Sequence, residues 1–377
     1  MDFDLGWVLW GLPIAFVLGW LASRFDLRQM RIENRQAPKA YFRGLNFLLN
    51  EQQDQAIDAF IEAVQNDPDT SELHFALGNL FRRRGEYERA VRVHEHLLSR
   101  GDLGRADRHR AQHALALDFL KAGLLDRAEE ALRKLEGTAF EGQALLALLA
   151  IYERSRDWAQ ASEIAHKLEA AGQGSFSGRQ AHYLCEQAAG AGPAQAESLL
   201  REAMKTAPVA ARPGLDLAAL QRRAGDAGAA FDTLATLAQA APSAIALVAR
   251  PLTDAAVAAG RQAQAMEILR ASYLQSPSLD VLDGIVALEP DAASGRDWYV
   301  RHLEREPSLV AASKWLAGER LEHEQFHARV QGALDHAAKP LTRYRCAACG
   351  FEAKQHFWQC PGCQAWDSYP ARRVEEL

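Results

Sequence analysis

Alanine recurs along this chain at a nearly fixed interval, and that recurrence constrains its fold more than any other feature. Ala56, Ala90, Ala128, Ala161, Ala196, Ala230 and Ala265 follow one another at intervals of 33 to 38 residues. Self-similarity at such a period marks stacked supersecondary units, each of which buries its apolar face on its neighbours. The stretch 71–98, SELHFALGNLFRRRGEYERAVRVHEHLL, shows what one unit contains. Gly78 and Ala90 are small, which lets two helices cross closely, while Leu77, Phe81, Tyr87 and Leu97 fill the space around the crossing. Gly85 sits where the first helix must end and can take the positive φ of a helix terminus. Pro68, Pro208, Pro242 and Pro277 each lie twelve residues beyond their alanine, where a proline stops the second helix.

This is the tetratricopeptide period. It predicts an all-α fold: a superhelical solenoid of helical hairpins over residues 37–340. The first repeat carries Gly44, Ala56, Phe60, Ala63 and Pro68 in phase, the third Phe119, Gly123, Ala128 and Leu135, and the fourth Tyr152, Trp158, Ala161 and Leu168. The fifth to seventh are rich in alanine and poor in aromatics, so their helices should pack closely with less buried area each. Beyond Pro277 the pattern degrades, and 278–307 and 308–340 read as atypical closing pairs around Trp298–Leu303 and Trp315–Leu321. Asn79, Arg82 and Arg83 fall at groove-facing positions, where arginines can hold an acidic partner segment or stay solvated. Cys185 reads as a buried small apolar residue in a reduced compartment.

Residues 5–22, LGWVLWGLPIAFVLGWLA, carry no charge and are long enough to cross a bilayer core. Trp7, Trp10 and Trp20 suit interfacial depth, Pro13 is tolerated in membrane helices, and Asp2 and Asp4 replace the basic start of a cleaved signal. We expect a transmembrane helix over 1–23 and a basic juxtamembrane linker over 24–36. Arg24, Arg28, Arg31, Arg35, Lys39 and Arg43 follow the span, which places a short N-terminus outside and the bulk of the chain in the cytoplasm. Gly11, Ala15, Gly19 and Ser23 share one face as a small-xxx-small packing stripe. Pairing of that stripe with a second copy, giving a homodimer, and pairing with another helix both stay open.

The remaining cysteines concentrate at the other end, in RYRCAACGFEAKQHFWQCPGCQAW at 343–366. Cys346-x2-Cys349 and Cys360-x2-Cys363 form two knuckles whose four thiolates suit one tetrahedral zinc or iron ion. Gly350 can take the positive φ that turns backbone amides toward sulfur, and Pro361 and Gly362 tighten the second turn. We expect Phe351, Phe357, Trp358 and Trp366 to supply the small core of a metal-dependent domain over 341–377. His356 is an alternative ligand, but four cysteines already fill the shell. A full protein shell leaves no open position, so the site reads as structural. One segment suggests an enzyme instead: His323-Glu324-Gln325-Phe326-His327 matches H-E-x-x-H, in which two histidines on one helix face hold zinc beside a glutamate base. An electron-carrying role for the knuckle lacks any accompanying flavin or nicotinamide fingerprint.

The formal net charge of −6 over 377 residues argues against a general nucleic-acid binder. An apolar N-terminal helix, this array and a terminal tetracysteine knuckle, in this order, resemble the lipopolysaccharide assembly protein B family of Gram-negative bacteria. The similarity is most specific at GLNFLLNEQQDQAIDAF, at LGNLFRRRGEYERAVRVHEHL, and at RYRCAACGF with WQCPGCQAW. The resemblance implies a rubredoxin-like domain with Cys346, Cys349, Cys360 and Cys363 as ligands of iron or zinc. Gln364 stands where rubredoxins usually have glycine, so one amide-to-sulfur geometry is expected to differ. The resemblance further implies a non-enzymatic adaptor at the inner membrane. Such an adaptor brings the committed-step deacetylase of lipid A synthesis to the membrane-bound AAA+ protease FtsH. The alternative it implies is a scaffold gathering lipopolysaccharide synthesis or transport proteins.

Overall fold

The computed structural model describes residues 15–20, 39–66, 70–320 and 323–377. They form two compact units, divided between Ser155 and Arg156. In the first unit a helical stretch at 15–20 is followed by α1 (39–49), α2 (Gln53–Asn66), α3 (Ser71–Arg84), α4 (Tyr87–Ser99), α5 (Arg105–Ala122), α6 (Leu125–Arg133) and α7 (Glu141–Ser155). Consecutive helices pair as hairpins, as the period requires. All seven marker alanines are buried, none more than 5% exposed. Gly85 closes α3 with φ 86° and Gly123 closes α5 with φ 77°, each donating its amide to a carbonyl of the preceding turn.

Gly78 is small for a sharper reason than helix crossing. A Cβ there would lie 2.6 Å from the imidazole of His94 on α4. His94 is fully buried and its Nδ1 bonds Asp118 of α5, which is also fully buried. Arg82 of α3 completes the group, donating to Asp118 Oδ1 at 2.8 Å and to the Ala114 carbonyl at 3.1 Å. One carboxylate thus ties three helices together. A buried acid tolerates dehydration only when paired in this way.

The second unit contains α8 (Trp158–Ala170), α9 (Ser177–Ala189), α10 (Pro193–Thr206), α11 (Ala211–Arg223), α12 (Ala227–Ala240), α13 (Ile245–Ala259) and α14 (Gln262–Gln275). The closing pairs are α15 (Leu279–Leu288) with α16 (Ala292–Arg305), and α17 (Leu309–Ala317) with α18 (Glu324–Ala338). Pro208, Pro242 and Pro277 lie just past α10, α12 and α14. Pro68 lies outside the described residues. One continuous core runs from α11 to the end of α18, built largely from alanine, leucine and valine with Phe231 and Tyr273. Cys185 is buried in a separate cluster of α9 to α11, mostly alanine with Leu200 and Leu217, and burial pushes its thiol up to about 12. Strands β1 (Tyr344–Arg345) and β2 (Glu352–Ala353) pair antiparallel, Tyr344 opposite Ala353, and open the metal domain. Among the described residues no single helix is long and apolar enough to cross a membrane. Only Ala15–Trp20 of the apolar run belongs to them.

Two outcomes follow from this packing. Gly78→Ala should lower the unfolding free energy by about 1–3 kcal/mol, because the ring it meets is pinned by Asp118. Gly101→Ala, with nothing within 4 Å, should be near neutral in the same denaturant titration. The second outcome concerns His302, whose Nδ1 lies 2.7 Å from the Tyr273 hydroxyl. Burial holds this imidazole below its ordinary value of 6.5. Its contribution to stability is complete above 6.5 and is lost as pH falls through the lower folded value. Unfolding midpoints measured from neutrality to about pH 5 should therefore fall less steeply in His302→Gln than in the parent chain.

Candidate metal centre

The two knuckles bring four sulfurs to one point. The Sγ atoms of Cys346, Cys349, Cys360 and Cys363 all lie within 4.8 Å of one another. Cys346 and Cys363 are 3.8 Å apart, and Cys349 and Cys360 are 3.7 Å apart. A tetrahedron with metal–sulfur bonds of about 2.3 Å has edges of about 3.8 Å, so the four cysteines are positioned to bind one metal ion. The local folding is symmetric. The Gly350 amide bonds the Cys346 carbonyl at 2.9 Å, and the Gln364 amide bonds the Cys360 carbonyl at 2.8 Å. Gly350 has φ 77° and Gln364 φ 61°. Gln364 therefore takes the left-handed conformation without being glycine, and the second turn keeps the shape of the first despite the expected difference.

The surroundings favour thiolate at Cys346 and Cys360, whereas at Cys349, despite the Phe351 amide, burial and the other sulfurs push the thiol up to about 12. The Ser368 hydroxyl, 3.3 Å from Cys346 Sγ, is the main influence drawing that thiol down to about 6, helped by the amides of Cys349 and Ala348. Burial opposes ionisation at Cys360, yet the amides of Cys363 and Gly362 hold its thiol below the usual range. Cys346 and Cys360 are buried, and Cys349 and Cys363 reach the surface. Four thiolates complete a tetrahedral shell, which suits a metal that holds the fold and not one that binds substrate. His356 is not a ligand: its Nε2 bonds the Tyr369 carbonyl at 3.0 Å.

The core of this domain differs from the one expected. It is built by Tyr344, Tyr369 and Phe357 around the buried cysteines, joined by Leu247 of α13. Phe351 is largely exposed. Trp358 and Trp366 turn outward onto the helical array. Trp366 stacks on His182 of α9 with ring centres 4.8 Å apart, and meets Trp158 and Tyr183 edge-on. His182, itself 1% exposed, bonds Asp367 Oδ1 at 2.8 Å through Nε2. Trp358 packs against the core formed by α11 to α18.

The last residues continue this attachment. Arg373 forks onto Asp280 of α15 at 2.8 and 2.7 Å and lies over the Tyr344 ring. Glu376 accepts the Leu279 amide at the start of α15, and Glu375 accepts the Leu309 amide and the Ser308 hydroxyl at the start of α17. Carboxylates at helix N-termini satisfy amides that have no partner within the helix. Sequence reading missed His182, Asp367, Arg373, Glu375 and Glu376. The only available signal was the basic-then-acidic run at 372–376, which spacing rules do not interpret.

The other predicted positions are placed as follows. Arg82 is committed to Asp118, and half-buried Asn79 accepts a bond from Arg82; Arg83 is exposed. Of the two arginines expected to face the groove, Arg83 alone has no ion-pair partner among the described residues. Ala15 and Gly19 are exposed on the helical stretch at 15–20, while Gly11 and Ser23 lie outside the described residues. The H-E-x-x-H reading fails on geometry. His323 precedes α18 with φ −111° and ψ 69°, off the helix, and meets the Phe326 ring edge-on. His327 Nε2 bonds the Leu316 carbonyl at 3.0 Å. Among the described residues the four cysteines form the one cluster with metal-binding spacing.

Comparison with known proteins agrees with this geometry. A family model described as a rubredoxin metal binding domain matches residues 344–369. Lipopolysaccharide assembly protein B of Escherichia coli (strain K12) is 29% identical over 381 residues, covering 97% of this chain and 98% of that protein. The protein of the same name in Haemophilus influenzae (strain ATCC 51907 / DSM 11121 / KW20 / Rd) is 27% identical, covering 95% and 96%. A solved tetratricopeptide repeat protein from Parabacteroides merdae aligns at 13% identity with a TM-score of 0.35, covering 67% of this chain and 98% of that one. That similarity is too low to bear on function. The expected resemblance to the lipopolysaccharide assembly protein B family holds along the chain.

Cys346→Ser combined with Cys349→Ser should abolish metal binding in elemental analysis and expose residues 344–369 to rapid hydrogen exchange, while the helices of the first unit keep their protection. Retained protection in the metal domain would show that it folds without the ion. His323→Ala combined with His327→Ala should leave metal content unchanged.

Proposed function

We propose that this chain, related end to end to lipopolysaccharide assembly protein B, is a membrane-tethered adaptor that regulates lipopolysaccharide synthesis and is not an enzyme. Similarity over 97% of the chain, from the apolar N-terminal run through the metal knuckle, carries this reading. The site chemistry supports it. The closed tetrathiolate shell has no position for substrate, and the histidines of the one competing motif do not converge. The uncharged run at 5–22 and the arginines after it act as anchor and topology signal, with the array on the cytoplasmic side of the inner membrane.

The mechanism is tethering. Confinement to a thin layer under the bilayer raises the effective concentration of the helical array near membrane-bound partners. In our reading the array holds the committed-step deacetylase of lipid A synthesis and presents it to the membrane protease FtsH. The metal is zinc or iron, and in either case it shapes the array's end without taking part in chemistry. The name of the relatives favours one further reading, in which the array assembles lipopolysaccharide-synthesis enzymes without promoting their destruction.

Depleting this protein in its host separates the two. The adaptor reading expects the level of the lipid A deacetylase to rise and its half-life to lengthen. An unchanged half-life would discard the adaptor and leave the scaffold.

A further inference from the structure

Helix α1 presents an outward face unlike that of the repeats behind it. Lys39, Phe42, Arg43, Asn46, Leu49 and Asn50 are all exposed, and a helical period places them within an arc of about 120°. Phe42 is 61% exposed and Leu49 81%. The arc has an apolar flank of Leu49 and Phe42 and a basic flank of Lys39 and Arg43. One repeat later the same positions hold half-buried Ala76 and exposed Arg83, and after that buried Ala114 and exposed Lys121. Large exposed apolar side chains at these positions therefore belong to the first repeat and are not a feature of the repeat pattern. The opposite side of α1 is occupied, with Tyr41, Leu45 and Leu48 packed on the core formed with α2 and α3.

The chain itself points to what covers this face. The uncharged run ends at residue 22, and only residues 23–38 separate it from Lys39. Sixteen residues cannot reach farther than about 55 Å even when fully extended, so the helix is held within reach of whatever surface the run enters. That connecting stretch has four arginines, Arg24, Arg28, Arg31 and Arg35, against Asp26 and Glu33. The arc contains no acidic residue. Of the acids on neighbouring α2, Glu62 is held by Arg43 and Asp54 by Arg84; Asp58 is exposed. An apolar flank beside a cationic flank is the arrangement of helices that lie in a membrane interface.

We propose that the outward face of α1 is a lipid-contact surface. Phe42 and Leu49 enter the headgroup region of an anionic bilayer, Lys39 meets its phosphates, and Arg43, paired with Glu62, borders the face. This rests on the tethered reading above and adds that the first repeat lies flat on the bilayer. Contact of this kind fixes the orientation of the first unit relative to the membrane, which tethering at one point does not.

The test uses the full chain reconstituted in vesicles of phosphatidylethanolamine with or without phosphatidylglycerol. A fluorescent amino acid is placed singly at position 17, 42, 49 or 209. Val209, exposed in the second unit, serves as the water reference. The expected result is blue-shifted emission at 42 and 49, quenched by lipids brominated near the headgroup and weakened when phosphatidylglycerol is omitted. Position 17 should be quenched by lipids brominated deep in the chains, whatever the headgroup. If 42 and 49 behave like 209 while 17 is quenched, the lipid face is wrong and the anchor stands. Blue-shifted emission at 42 and 49 without lipid quenching would mean that a protein, a second copy included, covers the face, which also overturns the proposal. Quenching at 42 and 49 without quenching at 17 would keep the lipid face and discard the spanning anchor. No quenching at any of the three would discard both.

Discussion

Four cysteine sulfurs packed within 4.8 Å of one another set the condition on which the second unit depends. Thiolates at that spacing repel strongly, and a bound cation converts the repulsion into a rigid tetrahedral joint. Trp366 and Asp367 follow Cys363 by only three and four residues, so the joint sets where both are presented. There they meet His182, one on its ring face and one on its Nε2. The tail then runs along α15 and α17, where Glu376 and Glu375 take the helix N-terminal amides. A domain too small for a core of its own thus borrows Leu247 and the surfaces of several repeats. This arrangement explains how a short metal ribbon can be part of a solenoid and not an appendage to it.

The first unit is organised by a different constraint. Asp118 has no exposure to water and would be costly if unpaired, but Arg82 and His94 satisfy it from two other helices. The group acts as a register pin: sliding any of the three helices would strand a buried charge. The same network takes Arg82 out of the set of cations available to a partner. Of the two groove arginines expected to meet a partner, Arg83 is the one left exposed.

In the role we propose, under a bilayer, the chain needs a firm shape more than it needs reactive groups. The chain supplies shape at both ends by different means, the metal joint in one unit and the buried ion group in the other. The exposed apolar residues at its first helix and the basic stretch before it suit attachment to a surface. Cys185 and Asp216 do line a cleft of the second unit, but burial pushes that thiol up to about 12, where it is a poor nucleophile. The one motif suggesting catalysis dissolves once His323 is seen to lie off the helix.

The sequence by itself determined the repeat phase and which four cysteines are placed to bind a metal ion, because each rests on spacing along one chain. An alanine at a helix crossing, a glycine at a positive φ and a Cys-x2-Cys turn are local necessities, and local necessities are written in consecutive residues. Tertiary structure alone decided which side chains meet across repeats. Gly78 is small because His94 lies over it, sixteen residues away, and His94 stays there because Asp118 holds it from a third helix. Trp366 looked like core and became a docking ring because its partner, His182, is 184 residues distant in sequence. Gln364 adopts the left-handed turn that glycine would favour because the Cys360 carbonyl and the sulfur cluster close the turn around it. Periodicity reports what a residue needs from its own helix; it carries no record of what another helix brings to it.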